Sequence, residues 1–306
     1  MKDFTFTQQY ALIGLNGLTS NYPSNAKKAV MRGIMVATFL EDKFELFETE
    51  SSLEKNAQVL KSEWDVFSKK IHALKKNEAQ MLEEELVTVL KADGVLEEIP
   101  DILGCDFNYE TSEIELKAYR TDSTVYQSIL EAIRAEILEE GPVTAECFGM
   151  IWIMRESGCL HEIFSNTEQQ SLERRMLALK IENPMYCVLW EAEFRNVFED
   201  VVGKFLKGKS ELFKNPYLEG VNLAFSFIER RKAIFIDFVV LGTNVASRRT
   251  AIMAYLSEHG HYVEEVTSGS ETLLKIDNTY YRIFPSAKRI PRAHAVQGAY
   301  IVPVYQ

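Results

Sequence analysis

The stretch that decides the fold is Lys232-Ala233-Ile234-Phe235-Ile236-Asp237-Phe238-Val239-Val240-Leu241, an apolar run rich in β-branched and aromatic residues. Such a run is typical of a buried β-strand. A segment at helical spacing, 246–257, follows it, and Asp277-Asn278 has the composition of a hairpin turn. Around that turn lie further strand-like segments, at 262–266, 272–276, 280–284 and 299–304. This order predicts a small α+β domain over residues 215–306, with one helix packed on a sheet.

Working back towards the N-terminus, the apolar residues recur at helical rather than strand spacing. The predicted helices cover 26–39, 51–93, 124–138, 144–154, 167–181 and 185–206. Two segments interrupt them: a small strand pair is predicted at 41–49 and a β-hairpin around 99–119. The sequence therefore predicts a mostly α N-terminal domain with a projecting β-hairpin over residues 1–208.

Several helix ends can be placed by their capping residues. Ser24 and Thr144 precede helical segments, as does Asp122 or Ser123, and short polar side chains are preferred at the N-cap. Gly94 and Gly158 follow helical segments and are predicted to end them, because glycine adopts the left-handed conformation of a C-terminal cap.

The net charge of −11 is distributed unevenly between the two predicted domains. Residues 1–189 contain 19 Lys and Arg against 32 Asp and Glu, whereas residues 190–306 contain 15 against 13. An acidic first domain argues against nucleic acid as a partner, because phosphate backbones require a positive field.

The chain shows no apolar run of the roughly 20 residues that a transmembrane helix needs, and no signal-peptide pattern near Met1. Its four cysteines are widely spaced and form no CxxC pair, which favours reduced thiols. We therefore expect a cytoplasmic protein without a transmembrane segment, associated at most peripherally with a membrane.

Residues 203–210, Gly-Lys-Phe-Leu-Lys-Gly-Lys-Ser, satisfy the GxxxxGK[ST] pattern of a phosphate-binding loop. Such a loop needs a strand before it and small residues within it. Here the preceding segment is predicted as helix, and the loop contains Phe205 and Leu206. An alternative hypothesis is a nucleotide-binding enzyme that uses Gly203, Gly208, Lys209, Ser210 and Asp237.

Histidine and basic residues mark further places in the C-terminal domain. His259-Gly260-His261 stands among glutamates, but histidine after a helix is more often a capping residue than a metal ligand. We expect no metal and no cofactor. Basic clusters are most often solvated faces, and those of this domain also fit a phosphate-bearing ligand or an acidic partner, including the chain's own acidic domain. They are Arg230-Arg231-Lys232, Arg248-Arg249 and Lys288-Arg289-Ile290-Pro291-Arg292.

Three stretches in the first two thirds are similar to a known family. They are Phe6-Thr7-Gln8-Gln9-Tyr10-Ala11-Leu12-Ile13-Gly14-Leu15-Asn16, Ala29-Val30-Met31-Arg32-Gly33-Ile34-Met35-Val36-Ala37 and Leu86-Val87-Thr88-Val89-Leu90-Lys91-Ala92-Asp93-Gly94-Val95-Leu96. In order and spacing, residues 4–206 resemble the Golgi phosphoprotein 3 family. No comparable resemblance covers residues 215–306.

The resemblance implies a mostly helical domain with a hairpin, and a non-catalytic adaptor that binds a phosphoinositide headgroup. Arg32 matches an arginine of the family's headgroup pocket, and Tyr22 stands near its aromatic position. Two further arginines of that pocket fall here on Gln80 and Glu83, and a carboxylate repels phosphate. Lys75 and Lys76 lie one or two helical turns away and supply positive charge.

Together these observations predict a non-catalytic binding or adaptor protein. Its ligand is an anionic headgroup or a protein partner at a membrane surface, contacted through Tyr22, Arg32, Lys75 and Lys76. The hairpin at 99–119 is predicted to mediate self-association, because exposed strand edges pair readily.

Overall fold

The computed structural model describes residues 3–48, 52–110, 115–194, 230–231, 233–237, 244–268, 272–289 and 295–304. Up to residue 194 these residues form ten α-helices, two short 3₁₀ helices (Ile102–Cys105 and Leu160–Glu162) and one hairpin. The elements are α1 (Phe6–Leu15), α2 (Asn25–Glu41), α3 (Glu45–Glu48), α4 (Leu53–His72), α5 (Lys76–Ala92), β1 (Leu96–Pro100), α6 (Phe107–Glu110), β2 (Lys117–Thr121), α7 (Ser123–Leu138), α8 (Ala145–Ser157), α9 (Asn166–Glu182) and α10 (Pro184–Glu191).

The caps that the sequence predicted are in place. The side chain of Ser24 accepts a hydrogen bond from the backbone N–H of Lys27, and Thr144 does the same for Cys147. Asp122, rather than Ser123, is the cap of α7. Gly94 and Gly158 have φ angles of 71° and 73°, in the left-handed region that terminates helices.

The helical domain is built on α2 and α8, which lie at its centre. The buried face of α2 includes Val30, Ile34 and Leu40, and nearly all of α8 is buried, including Phe148 and Trp152. The strand pair predicted at 41–49 is wrong, because this segment forms a turn and the short helix α3. The alternation of its aromatic residues with acids does not reflect a strand. The aromatic residues pack into the helical core, where the ring centroid of Phe44 lies 4.8 Å from that of Phe6.

The C-terminal part is a five-stranded antiparallel sheet with one helix among the residues described. Its elements are β3 (Ile234–Asp237), α11 (Val245–Glu258), β4 (Val263–Ser268), β5 (Thr272–Ile276), β6 (Thr279–Arg289) and β7 (Ala295–Pro303), and the strand order is β3-β7-β6-β5-β4. Asp277 and Asn278 form the predicted two-residue turn between β5 and β6, and Asp277 has a φ of 52°. The fold class predicted from the sequence is confirmed. The boundary predicted between 208 and 215 lies outside the described residues.

The hairpin formed by β1 and β2 connects the two parts of the molecule. Its connecting segment packs into the core of the C-terminal sheet, where Leu103, Cys105 and Leu116 are buried beside Ile236. The carboxylate of Asp106 accepts a hydrogen bond from the backbone N–H of Phe235 in the edge strand β3. The chain's own C-terminal domain therefore covers much of the apolar surface of the hairpin, and self-association through this hairpin stays a prediction.

No helix in the described part of the chain is both long enough and apolar enough to cross a membrane.

Candidate functional site

The residues predicted to bind a headgroup do not all face the same way. Tyr22 lies in the loop before α2 and its side chain is 59% exposed. Arg32 lies in the middle of α2, close enough to the buried phenol of Tyr10 for its charge to act on the pKa of that group. Burial dominates that environment and raises the pKa of Tyr10 well above its ordinary value.

Glu83, which stands where the family has an arginine, belongs to a buried polar group that we call the closed cluster: Lys27, Glu83 and Tyr119. Lys27 Nζ lies 2.6 Å from Glu83 Oε1, and Tyr119 Oη donates a hydrogen bond of 2.7 Å to the same oxygen. Burial, followed by this bond to Glu83, raises the pKa of Tyr119. The carboxylate thus neutralises the lysine that would otherwise attract an anion.

The remaining members of the predicted pocket are on the outside of α5. Lys75 and Lys76 are exposed at the beginning of this helix, and Gln80 is exposed and donates a hydrogen bond to Glu84. Among the described residues, no hydrogen bond, ion pair or ring contact joins either lysine to Tyr22.

The segment 17–24, which we call the Tyr22 loop, is fixed to the hairpin by the residues just before its exposed tip. The backbone N–H of Ser20 donates to the carbonyl of Lys117 over 2.6 Å. The Asn21 side chain donates to the carbonyl of Glu115 over 2.7 Å and accepts from the N–H of Lys117 over 3.0 Å. An exposed aromatic ring is therefore presented by a loop that is already ordered.

Where the C-terminal domain meets the helical domain, two arginines are buried. Arg230 donates to Glu162 over 2.8 Å and to the carbonyl of Gly14 over 2.9 Å, and Arg231 reaches the other oxygen of Glu162 over 3.3 Å. The solvated face that the sequence favours for these arginines is therefore wrong, and they contact the acidic domain of the same chain, one of the counterparts that the sequence left open. Arg231 packs against Gly17 so closely that a Cβ there would lie 1.4 Å from Nη1.

A second polar contact between the domains is centred on Asp277. Its Oδ1 accepts from Arg120 over 2.8 Å, and its Oδ2 lies 2.9 Å from Nδ1 of His261. Burial raises the pKa of Asp277, but the hydrogen bonds and charges of His261 and Arg120 outweigh burial and lower the pKa overall. His259, not His261, is the histidine that caps α11, since it contacts the carbonyl of Tyr255.

Between these contacts lies a cavity of about 40 Å³, which we call the interdomain cavity. Three buried side chains that line it each have a buried polar atom with no hydrogen-bond partner: Arg231 Nε, His261 Nε2 and Asn278 Oδ1. The exposed fractions of these residues are 6%, 4% and 7%. Buried polar atoms without partners are uncommon and costly, so these three residues weaken rather than strengthen the contact between the domains.

Most of the alternative nucleotide site lies outside the described residues, including Gly203, Gly208, Lys209 and Ser210. The helix predicted over 185–206 begins at Pro184 and ends at Glu191, and residues 195–206 are not described. Asp237 is the last residue of β3, an edge strand paired antiparallel to β7. The strand that precedes the metal-binding aspartate in phosphate-loop folds is parallel to its neighbours, so Asp237 lacks the sheet context of that site.

Within the described ranges, no group of three or more His, Cys, Asp and Glu side chains is arranged to hold a metal ion. All four cysteines are free thiols. Burial raises the pKa of Cys147 to about 12 and also raises that of Cys159. Thiols of this kind are poor nucleophiles near neutral pH.

Comparison of the chain with protein-family models, with curated proteins and with solved structures gave no match. The similarity to the Golgi phosphoprotein 3 family therefore remains a prediction from the motifs at residues 6–16, 29–37 and 86–96.

Sequence reasoning missed the interdomain cavity. Asn278 was interpreted only as a turn residue and His261 only as a residue after a helix, and both interpretations follow from local composition. The one available signal was the basic pair Arg230-Arg231 beside a predicted strand. This signal was compatible with an anionic counterpart, but it gave no hint of the histidine and asparagine, which lie elsewhere in the chain.

Proposed function

We propose that this protein is a non-catalytic binding or adaptor protein that contacts its partner through the Tyr22 loop. The observation that carries the proposal is the exposed ring of Tyr22 on a loop held by Ser20 and Asn21 to the hairpin. Exposed aromatic side chains are frequent anchors in recognition, and an ordered loop loses little conformational entropy when it binds.

The charges around this loop favour a protein partner over an anionic headgroup. Lys27, the basic side chain nearest to the loop in sequence, is neutralised by Glu83 in the closed cluster. The surrounding domain is strongly acidic, which repels an anionic membrane surface. The competing proposal is a headgroup bound through Tyr22, Arg32, Lys75 and Lys76. Both proposals place the protein in the cytoplasm, associated at most peripherally with a membrane.

Site-specific photo-cross-linking in the native host cell tests the proposal. A photoreactive phenylalanine analogue replaces Tyr22, and the matched control carries it at Tyr262, another tyrosine with an exposed side chain (72%). We expect a discrete cross-linked protein from position 22 and none from position 262. No product, or the same products from both positions, contradicts a role for the loop.

Flotation with phosphatidylcholine vesicles, with and without phosphatidylinositol 4-phosphate, separates the two kinds of partner. We expect the protein to stay unbound in both cases. If the protein floats with the vesicles only when the phosphoinositide is present, and Arg32→Glu abolishes this binding, the ligand is the headgroup rather than a protein.

A further inference from the structure

Helix α9 exposes apolar side chains on the face that points away from the core. On its inner face, Leu172 and Met176 are buried. On its outer face, Leu177 is 44% exposed and Ile181, one turn further on, is 84% exposed. Residues four apart are neighbours on a helix surface, and Ala178 beside them is also exposed. These three residues, Leu177, Ala178 and Ile181, form one continuous apolar surface, which we call the α9 strip.

The spacing along this face is that of a helix which packs lengthwise against another helix. The exposed residues Gln170, Arg174, Leu177 and Ile181 follow one another at intervals of four, three and four. This alternation is the seam of a coiled coil, in which two helices bury one narrow row of side chains between them. The α9 strip therefore fits a helix better than it fits an extended peptide.

The charges of α9 distinguish it from the rest of the helical domain. Residues 166–182 contain three acidic and three basic side chains, whereas residues 1–189 contain 32 acidic against 19 basic ones. A second copy of this acidic domain is therefore not repelled along α9. Nucleic acid and anionic surfaces, which require a positive field, gain nothing from a neutral helix.

Two charged side chains on either side of the α9 strip are available to a partner. Arg174 donates hydrogen bonds within its own helix, to the carbonyl of Gln170 over 3.3 Å and to Ser171 Oγ over 3.2 Å. Arg174 and Glu182 are both exposed, and neither has an ion pair with another residue that the structure describes. The strip is thus followed by an acid and preceded by a base.

This order makes the strip complementary to itself. A two-fold axis across the strip would align α9 of two copies antiparallel. If Leu177 lies against Ile181 of the second copy, position 174 lies opposite position 184. Glu182 of the second copy is two residues from that level, about 3 Å along the axis, which is less than the length of an arginine side chain. The two-fold axis repeats the same contact at the other end.

We propose that the α9 strip binds a second copy of this chain, in a two-fold dimer with Leu177 and Ile181 at its centre and an Arg174–Glu182 ion pair at each end. One helix face covers much less than the roughly 800 Å² per partner of a stable interface, so the dimer is weak and reversible. The strip shares no residue with the Tyr22 loop or with the hairpin, and the proposal does not depend on the function proposed for that loop.

Sedimentation velocity of the full chain over a series of concentrations tests the apolar centre. We expect a monomer–dimer equilibrium in the micromolar range. Ile181→Asp is expected to weaken the dimer at least tenfold. Val66→Asp, which changes an exposed residue of α4 (60%), is the matched control and leaves the dimer unchanged. Circular dichroism confirms that both variants are folded, as expected for substitutions of exposed side chains.

Charge exchange tests the antiparallel pairing. Arg174→Glu and Glu182→Arg each place like charges at both ends of the dimer, so each variant alone is expected to dimerise about tenfold more weakly. In an equimolar mixture of the two variants, both ends of a mixed dimer carry an arginine opposite a glutamate. We therefore expect the mixture to regain the dimerisation of the wild type.

Three outcomes overturn the proposal. The first is a chain that stays monomeric at every concentration, which would leave the strip to a different occupant. If that monomer floats with phosphatidylcholine vesicles and Ile181→Asp abolishes the binding, the occupant is a lipid surface. The second is a dimer that Ile181→Asp leaves unchanged, because its interface would then lie elsewhere, as on the hairpin. The third is a mixture of the two charge variants that does not dimerise better than either alone.

Discussion

The closed cluster and the interdomain cavity are both buried polar sites, yet they differ in how completely their hydrogen bonds are made. In the closed cluster, Glu83 accepts from Lys27 and Tyr119, and each group has its partner within the helical domain. In the interdomain cavity, Arg231, His261 and Asn278 each retain an atom without a partner. Polar groups that are satisfied internally stabilise the fold, whereas unsatisfied buried groups carry a desolvation cost.

The largest effect is expected from breaking the closed cluster. Glu83→Ala leaves the phenol of Tyr119 without its acceptor and the largely buried ammonium of Lys27 without its carboxylate, although Lys27 keeps its hydrogen bond to the Ser20 carbonyl. Removing one partner of a buried ion pair costs about 3 kcal/mol or more of the free energy of unfolding. Urea denaturation measures this loss, with Glu84→Ala on the exposed side of α5 as the control. Equal small effects of the two substitutions would mean that the cluster does not stabilise the domain.

A smaller effect is expected from Gly17→Ala, which probes the wall of the cavity. Gly17 has a φ of 67°, and a Cβ there would collide with the guanidinium of Arg231. We expect a loss of about 2 kcal/mol from strain and displacement together.

Gly94→Ala is the matched control for this substitution, because Gly94 has a φ of 71° but open space around its Cβ position. Strain alone should cost about 1 kcal/mol there. Thermal unfolding of both variants separates the two contributions, and identical losses would contradict the close approach of Arg231 to Gly17.

Asp277→Asn is expected to cost about 1–2 kcal/mol at neutral pH, because it weakens the contacts with Arg120 and His261. The pKa of Asp277 is lowered in the folded protein, so its carboxylate stabilises the fold above the unfolded pKa of about 4. That stabilisation is lost as the pH falls through the folded value, which lies below 4. Unfolding followed between about pH 2 and 7 should show a shallower acid dependence for the variant than for the wild type. The same dependence of the free energy of unfolding on pH in both proteins would contradict the role of Asp277 in acid unfolding.

The smallest effect on stability is expected at Tyr22, although the proposed function depends on this residue. Its side chain is exposed, and the bonds that hold the loop come from Ser20 and Asn21. Tyr22→Ala should therefore change the free energy of unfolding by less than about 0.5 kcal/mol. A larger loss in urea denaturation would show that the ring supports the fold, which would weaken its interpretation as a contact residue.

Elements whose signal is local could be predicted from the sequence. Ser24, Thr144 and Gly158 were placed as helix ends because a cap depends on a side chain and its next few residues. The Asp277-Asn278 turn was predicted for the same reason. The segment around Phe44 was predicted wrongly, because alternation over a few residues does not distinguish a strand from a turn whose rings pack into a helical core.

The contacts of the candidate site could not be predicted from the sequence, because its residues are far apart along the chain. Position 83 could be identified as a departure from the family pattern, but not as the partner of Lys27, which lies in another helix. Asn16, Arg120, Arg231, His261 and Asn278 come from five separate parts of the chain, and no spacing in the sequence connects them.

By itself, the sequence determined the two-part fold class, the helix caps, the β5–β6 turn and the division of charge between the halves. These features follow from side-chain chemistry and periodicity over a few residues. Only the tertiary structure decided that the hairpin packs into the C-terminal sheet, that Glu83 neutralises Lys27, and that Arg231, His261 and Asn278 line one cavity. Hydrogen bonds and burial act over a few ångströms in space, and distance along the chain does not reveal which groups come that close.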